Sequence, residues 1–351
     1  MDSVLVTGSS GLVGEAASRL FHSMGYRVIG IDNNMRAEFF GEVASTDGAK
    51  AGLIRDLKNF HHFNIDIRNH QALENVFREN KNFIKGVIHC AAQPSHDWAA
   101  KNPRMDFDVN AVGTVNLLEL TRKHNPESFF IFMSTNKVYG EHPNRLIFRE
   151  EHSRWSPIEA NVVLSGIDEN MSIDQTVHSV FGVSKVAADL MVQEYGRYFD
   201  MNTVVFRGGC LTGPSHAGAE LHGFLSYMVK CAISGAQYQI FGYKGKQVRD
   251  NIHSEDLAKA FLEFSGNPRK GEVYNIGGGP GSDISLLEAI DRIQLISGKN
   301  LHWTQQARNR IGDHIWYVSN ISKFKRDYPS WKMEHNIDSI LEDIVRGEHD
   351  H

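Results

Sequence analysis

The sequence predicts an α/β fold: a doubly wound parallel sheet with a smaller C-terminal lobe interleaved into it. Three observations carry that expectation. Short apolar runs alternate with amphipathic helical stretches from Val4 to Arg207, the pattern of a parallel sheet covered on both faces. A glycine-punctuated turn, Thr7-Gly8-Ser9-Ser10-Gly11-Leu12-Val13-Gly14, follows the first apolar run and opens a helix. An acid, Asp32, then closes the next run, at the spacing a dinucleotide-binding βαβ unit places it.

Taken in order, Val4-Leu5-Val6 is a strand, Glu15 to Met24 a helix and Tyr26 to Asp32 a second strand. Glycines 8, 11 and 14 permit a tight turn, close backbone approach to a pyrophosphate and close helix packing, with the helix N-terminus facing the anion. Ser10, Leu12 and Val13 share that turn. Asp32 is placed to bind the adenosine ribose and to repel a 2'-phosphate, and Asn33 and Asn34 bring no cation beside it, which favours NAD over NADP. Residues 33–59 read as a polar, irregular excursion, either a surface segment or a flap. Phe63 to Arg68 read as a strand ending near an acid, residues 71–80 as a helix and residues 86–92 as a buried strand. Asp66 is either a contact for the adenine amino group or a helix cap. Ala91, Ala92 and Gln93 are small or polar enough to pass under the cofactor's ribose and phosphates.

Residues 106–124 carry one helical pattern with Asn110 on its apolar face, where an amide needs partners. Residues 128–133 form a buried strand that delivers Ser134 and Thr135 at its C-terminal end. A long polar segment, 141–179, has the length of a lid or binding loop. Residues 184–199 are a helix and 203–207 a strand. Beyond Gly213 the pattern changes: helical at 220–233, a strand at 238–241, basic residues among turns at 246–253, a helix at 255–264, a late strand at 272–277, and helices at 284–297, 319–328 and 334–345. The expected division is a Rossmann-type NAD-binding domain from 1–212 plus 247–277, and a substrate-binding lobe from 213–246 plus 278–351.

Composition bounds the partners. The net charge of -5 over 351 residues offers no basic stripe, so nucleic acid is not expected. Three cysteines without close spacing, no basic leader and no long apolar run point to a reduced cytoplasmic protein without a membrane span. The eighteen histidines make no HExxH or similar spacing, and no metal is expected.

Together these motifs resemble the extended short-chain dehydrogenase/reductase family over nearly the whole chain, in particular its nucleotide-sugar epimerases and dehydratases. The matching pieces are the turn at 7–14, Asp32, Asp66-Ile67, His89 to Gln93, Asn110, Ser134 to Gly140, Lys185, Arg249 to Leu257, Tyr274 to Gly278 and Arg310 to Asp313. Ser134 to Gly140, the long loop after it and Gly245-Lys246-Gln247-Val248-Arg249-Asp250-Asn251-Ile252-His253 most resemble the CDP-paratose 2-epimerases. The resemblance implies that NAD takes a hydride from a sugar carbon and returns it to the opposite face. It implies Thr135 as the hydroxyl that polarises the sugar oxygen and Lys185 as the holder of the nicotinamide ribose. It also implies a nucleotide-diphosphate sugar as substrate, with Arg249 and Arg310 on the diphosphate, Asn136 and Glu220 among its contacts, and a homodimer. The dehydratases carry an Asp-Glu pair where this chain has Asn136-Lys137, which argues against elimination.

One part of that machinery is absent. Where the family has its proton-transferring Tyr, four residues before Lys185, this chain has Phe181. Three explanations follow: a natural subgroup in which another group such as His178 moves the proton, a substitution introduced to trap substrate, or a binding protein that has lost turnover.

Overall fold

The computed structural model describes residues 1–215, 223–307, 309 and 312–349. The chain forms two compact units. The first comprises Met1–Val138, Val180–Arg207 and Leu257–Tyr274, and the second Tyr139–Ser179, Gly208–Asp256 and Asn275–His351.

The first unit is built on a seven-stranded sheet in the order Glu272–Ile276, Thr203–Gly208, Phe129–Thr135, Ile84–His89, Ser3–Thr7, Arg27–Ile31, Phe60–Phe63. From Phe129–Thr135 outward to Phe60–Phe63 every neighbouring pair runs parallel. Strands buried on both faces must be apolar throughout, and Phe129 to Met133 are all buried. The helices Leu12–Ser23, His70–Asn80, Gly113–His124 and Val180–Tyr198 flank the sheet. Leu73, Phe77, Leu117, Leu118, Ala188 and Val192 pack with Leu5, Ile29, Val87 and Phe130 into one core. Chain order reverses between Ser3–Thr7 and Ile84–His89, and a ligand crevice opens outside the carboxyl ends of such a strand pair.

Three expected elements change here. The segment 33–59 holds two helices, Met35–Phe40 and Asp47–Asp56. Asn34 organises it: its amide donates to Ser45 and Asp47 while its carbonyl oxygen accepts from the Thr46 backbone. The strand expected at 63–68 lies earlier, at Phe60–Phe63, where it pairs with Arg27–Ile31. The helix expected across 106–124 is interrupted by a π-helical turn, Asp108–Val112, and that turn carries Asn110.

In the second unit, Val248–His253 pairs with Cys210–Thr212, Asp283–Ser285 and Trp316–Tyr317. It is a buried strand, not the turn-rich basic stretch expected, because apolar Val248 and Ile252 anchor it in three ladders. The helices Phe224–Ser234, Leu286–Ser297 and Ile337–His349 pack with Tyr238 and Ile240 into a second core.

The unit boundaries depart from the expected 1–212 plus 247–277. Residues 139–179 group with the second unit because their bonds run there. Tyr139 donates to Asn275 at 2.7 Å, Arg154 pairs with Asp283 and Glu288, and Ile167 bridges to Ser319. The strand Val248–His253 stays with its ladder partners for the same reason. Among the described residues, no helix is long and apolar enough to cross a membrane.

Candidate active site

The glycine turn is shaped by close backbone approach. Gly8 has φ +65°, and a Cβ there would lie 2.7 Å from the Ala91 nitrogen, so the turn and the end of Ile84–His89 admit no side chain between them. A Cβ on Gly14 would sit 2.0 Å from the Gly8 oxygen. Gly11 meets only the Gly8 oxygen, at 3.4 Å, and caps the helix Leu12–Ser23. The Asp32 carboxylate stands beside this turn, accepting from the Ser10 N–H at 3.0 Å and the Asn34 N–H at 2.9 Å. A side-chain-free backbone cradle at a helix N-terminus with one carboxylate beside it fits a dinucleotide's pyrophosphate and ribose. Asn33 accepts from the Met35 N–H.

Asp66 lies beyond its strand, and its carboxylate is engaged by the Arg68 guanidinium and the Arg68 N–H. Ile67 is buried and meets Gly113, where a Cβ would come within 2.6 Å of it. Ala91 and Ala92 are half-buried after the fourth strand in sequence. Gln93 is fully buried; its side-chain amide donates to Asp106 at 2.6 Å and to the Ser95 carbonyl at 2.9 Å. Asn110 accepts from the Gln93 N–H and donates toward the Gln93 carbonyl, Asp106 and Ser184. The π turn, a local widening common at functional sites, carries this amide, which ties the post-strand loop to the helix Val180–Tyr198.

His89, which the sequence offers only as the first residue of the matching piece His89 to Gln93, belongs to the same network. Its Nε2 lies 2.9 Å from the Thr114 hydroxyl and its Nδ1 2.7 Å from that of Thr7. Thr114 spends its proton on the Asn110 carbonyl, so Nε2 carries hydrogen and Nδ1 accepts. Burial, helped by the Lys185 charge, pushes the His89 pKa down to about 3.

The strand Phe129–Thr135 ends at the carboxyl edge of the sheet, where parallel α/β sheets place their ligands. Ser134 donates to Asp189 at 2.8 Å, and Asp189 is held by Arg207 through two bonds of 2.9 and 3.0 Å, all of them buried. The helix is thereby clamped to two strands. Thr135 accepts from the Lys137 N–H at 3.2 Å and is only half-buried. Asn136 is buried next to it. The Lys185 ammonium donates to the Met133 carbonyl at 2.8 Å and lies 4.2 Å from the Phe132 ring centroid. Burial lowers its pKa to about 8, with Asp189, Cys90 and Asp106 pulling it back.

Phe181 occupies the first turn of the same helix and is buried. Its ring meets the His96 imidazole edge to face, centroids 4.9 Å apart. His96 escaped sequence reading because it opens a helix of six residues, His96–Lys101, too short to give a periodic signal.

In the second unit, His178 belongs to a turn pinned on Gly140-Glu141: the Glu141 N–H donates to the Val177 carbonyl at 3.1 Å and to Thr176 at 3.0 Å. Arg249 is 7% exposed on its strand and donates to Asp313 and the His314 carbonyl at 2.5 Å and to the Val248 carbonyl at 2.7 Å. It is a positioned cation rather than a solvated one. Glu220 and Arg310 lie outside the described residues. His253, Glu255 and His335 bring possible ligand atoms within 4.8 Å of one another, a cluster that sequence spacing did not reveal. The His253 Nδ1 accepts from the Glu255 N–H, which leaves hydrogen on Nε2, and His335 Nδ1 lies 3.1 Å from Asp256. With the two rings stacked at 4.0 Å between centroids, the first bond suits a stacked, hydrogen-bonded histidine better than a metal ligand.

A family model described as "NAD dependent epimerase/dehydratase family" matches residues 4–277. The chain is 31% identical over 329 residues to the CDP-paratose 2-epimerase of Salmonella typhi, covering 91% of each chain. It is 27% identical over 342 residues to a dTDP-glucose 4,6-dehydratase of Escherichia coli, covering 92% of this chain and 87% of that one. Among solved structures it is similar to UDP-glucose 4-epimerase from Bifidobacterium longum in complex with NAD+ and UDP, with TM-score 0.80, 24% identity, and 99% and 98% of the two chains covered.

Proposed function

Because the chain belongs to the NAD dependent epimerase/dehydratase family, whose cofactor is NAD, we propose that it is a nucleotide-sugar epimerase of the CDP-paratose 2-epimerase kind. The observation that carries this reading is the 31% identity across 91% of both chains with such an epimerase. The intact Thr135 and Lys185 agree with it. NAD, when bound, supplies reversible hydride acceptance from a sugar carbon.

The protein's own groups do the rest. Gly8, Ser10, Gly11, Leu12, Val13 and Gly14 cradle the pyrophosphate, Asp32 and Asn33 hold the adenosine ribose, and Ala91 to Gln93 line the path beyond. Asp66 and Ile67 take the adenine edge, for which the Asp66 carboxylate has to share its Arg68 contact. Asn110 braces the loop and helix that meet there. Thr135 polarises the sugar oxygen: its hydroxyl accepts from the Lys137 N–H, and its proton, given to the Asn136 side-chain oxygen over a long 3.5 Å, turns to the sugar oxygen instead. Lys185, buried and cationic, holds the nicotinamide ribose and favours loss of a nearby proton. Arg249 and Arg310 clamp the diphosphate, since a planar guanidinium matches phosphate oxygens in pairs, with Asn136 and Glu220 on the sugar. Dimerisation through the helices at 107–124 and 184–199 is supported by exposed Phe107, Val112, Leu190 and Met191.

Phe181 favours one competing reading, an NAD- and sugar-nucleotide-binding protein without turnover. Incubation with NAD and CDP-, GDP-, UDP- and dTDP-hexoses in deuterated water, followed by NMR, separates the two. Inversion at one sugar carbon is expected; binding with no interconversion of any sugar sinks the epimerase reading.

A further inference from the structure

We propose that the His96 imidazole takes the part of the absent phenol, receiving and returning the proton of the sugar hydroxyl. This rests on the epimerase reading and names the group that completes it. Phe181 has no acid or base of its own, yet the ring against it does: His96 packs on it with centroids 4.9 Å apart. An imidazole titrates near neutral pH and transfers protons readily there.

Both sides of that contact are fixed by one buried network. On the His96 side, Ser95 is 3% exposed and caps the short helix through the Trp98 N–H. Gln93 grips Ser95 twice, accepting from its N–H at 2.5 Å and donating to its carbonyl at 2.9 Å. On the Phe181 side, Ser184 donates to the Phe181 carbonyl at 3.0 Å. Asn110 joins the two, accepting from Gln93 at 2.9 Å and bonding Ser184 at 3.0 Å. A general base has to be held in place, and this one is held by the residues that position Phe181.

The chemistry balances. The O–H bond of the sugar hydroxyl breaks, its proton passes to an imidazole nitrogen, and the carbon becomes a carbonyl while NAD accounts for the hydride. On return the imidazolium gives the proton back to the oxygen, so no proton or electron is consumed overall.

The test uses the NAD-loaded full chain and the sugar nucleotide it interconverts. His96→Gln is expected to lower kcat by about 10²–10⁴-fold, with the Kd for NAD and for the sugar nucleotide unchanged by calorimetry. Adding Phe181→Tyr to that variant supplies a phenol and is expected to restore turnover, which a merely structural defect would not permit. Independently of turnover, the His96 ring nitrogen resonances are expected to move when the sugar nucleotide binds. Interconversion that survives His96→Gln overturns this proposal alone, as does a loss confined to His178→Ala. No interconversion by the unsubstituted protein overturns it together with the epimerase reading.

Discussion

At the scale of single residues, the glycine turn makes a sharp demand. A Gly14→Ala methyl would have to fit 2.0 Å from the Gly8 oxygen, and both partners are backbone, so neither side can swing away. Overpacking of this kind costs about 1–3 kcal/mol. The variant should unfold at lower urea and bind NAD more weakly, because relief comes only by moving the turn proposed as the pyrophosphate cradle; an unchanged midpoint and Kd would contradict the close approach. Residues of this kind are legible in a sequence, since a glycine at fixed offsets before a helix has few other uses. Asp32 and Lys185 were legible for a similar reason: each sits at a set distance from a recognisable element. His96 was not. Its partner Phe181 lies 85 residues further along the chain, and only the packed helices bring them together.

At the scale of elements, the helix Val180–Tyr198 is the piece that assembles the site, and the buried Asp189–Arg207 pair fixes where it lies. Asp189 is wholly buried and also accepts from Ser134 and Gln193. Replacing it with Asn leaves the Arg207 guanidinium buried without its counter-charge, which costs about 3–5 kcal/mol. Asp189→Asn should therefore show a much lower denaturation midpoint and weaker turnover through a displaced Lys185. A midpoint close to that of the parent would mean that the pair contributes little. The apolar spacing predicts this helix but starts it at Ser184, four residues late, because Val180 and Val183 are exposed, Gly182 is buried without a side chain, and Phe181 is the one apolar side chain of that turn that points inward. The π turn was hidden because an inserted residue leaves the apolar positions nearly helical. The sequence puts Arg249 among turns because glycines 242 and 245 dominate the local signal, whereas the three-ladder pairing that makes 248–253 a strand comes from partners far along the chain.

At the scale of the whole molecule, the sheet-and-helix alternation was legible because each parallel strand and its crossover helix leave a local trace. The two-unit division was not, because it depends on which distant segment 139–179 bonds to. The sheet unit carries an ionisable group that links its stability to pH. His89 is fully buried with both ring nitrogens engaged, and its pKa falls from 6.5 to about 3. The folded unit then binds fewer protons than the unfolded chain between those two values. Stability from the neutral imidazole is fully present above pH 6.5 and is lost as pH falls from 6.5 toward 3, at up to about 1.4 kcal/mol per pH unit. Burial also lowers the His253 pKa, aided by its neighbour His335, and adds to the slope in the same direction from the second unit. Urea unfolding followed at steps from pH 7 to pH 4.5 should trace this decline. His89→Gln keeps a donor and an acceptor but does not titrate, so it should flatten the decline by nearly one proton in the sheet unit's transition. The same slope in both proteins would mean that His89 accepts its proton without leaving the fold, and that the Thr7–His89–Thr114 bridge can be rearranged without cost.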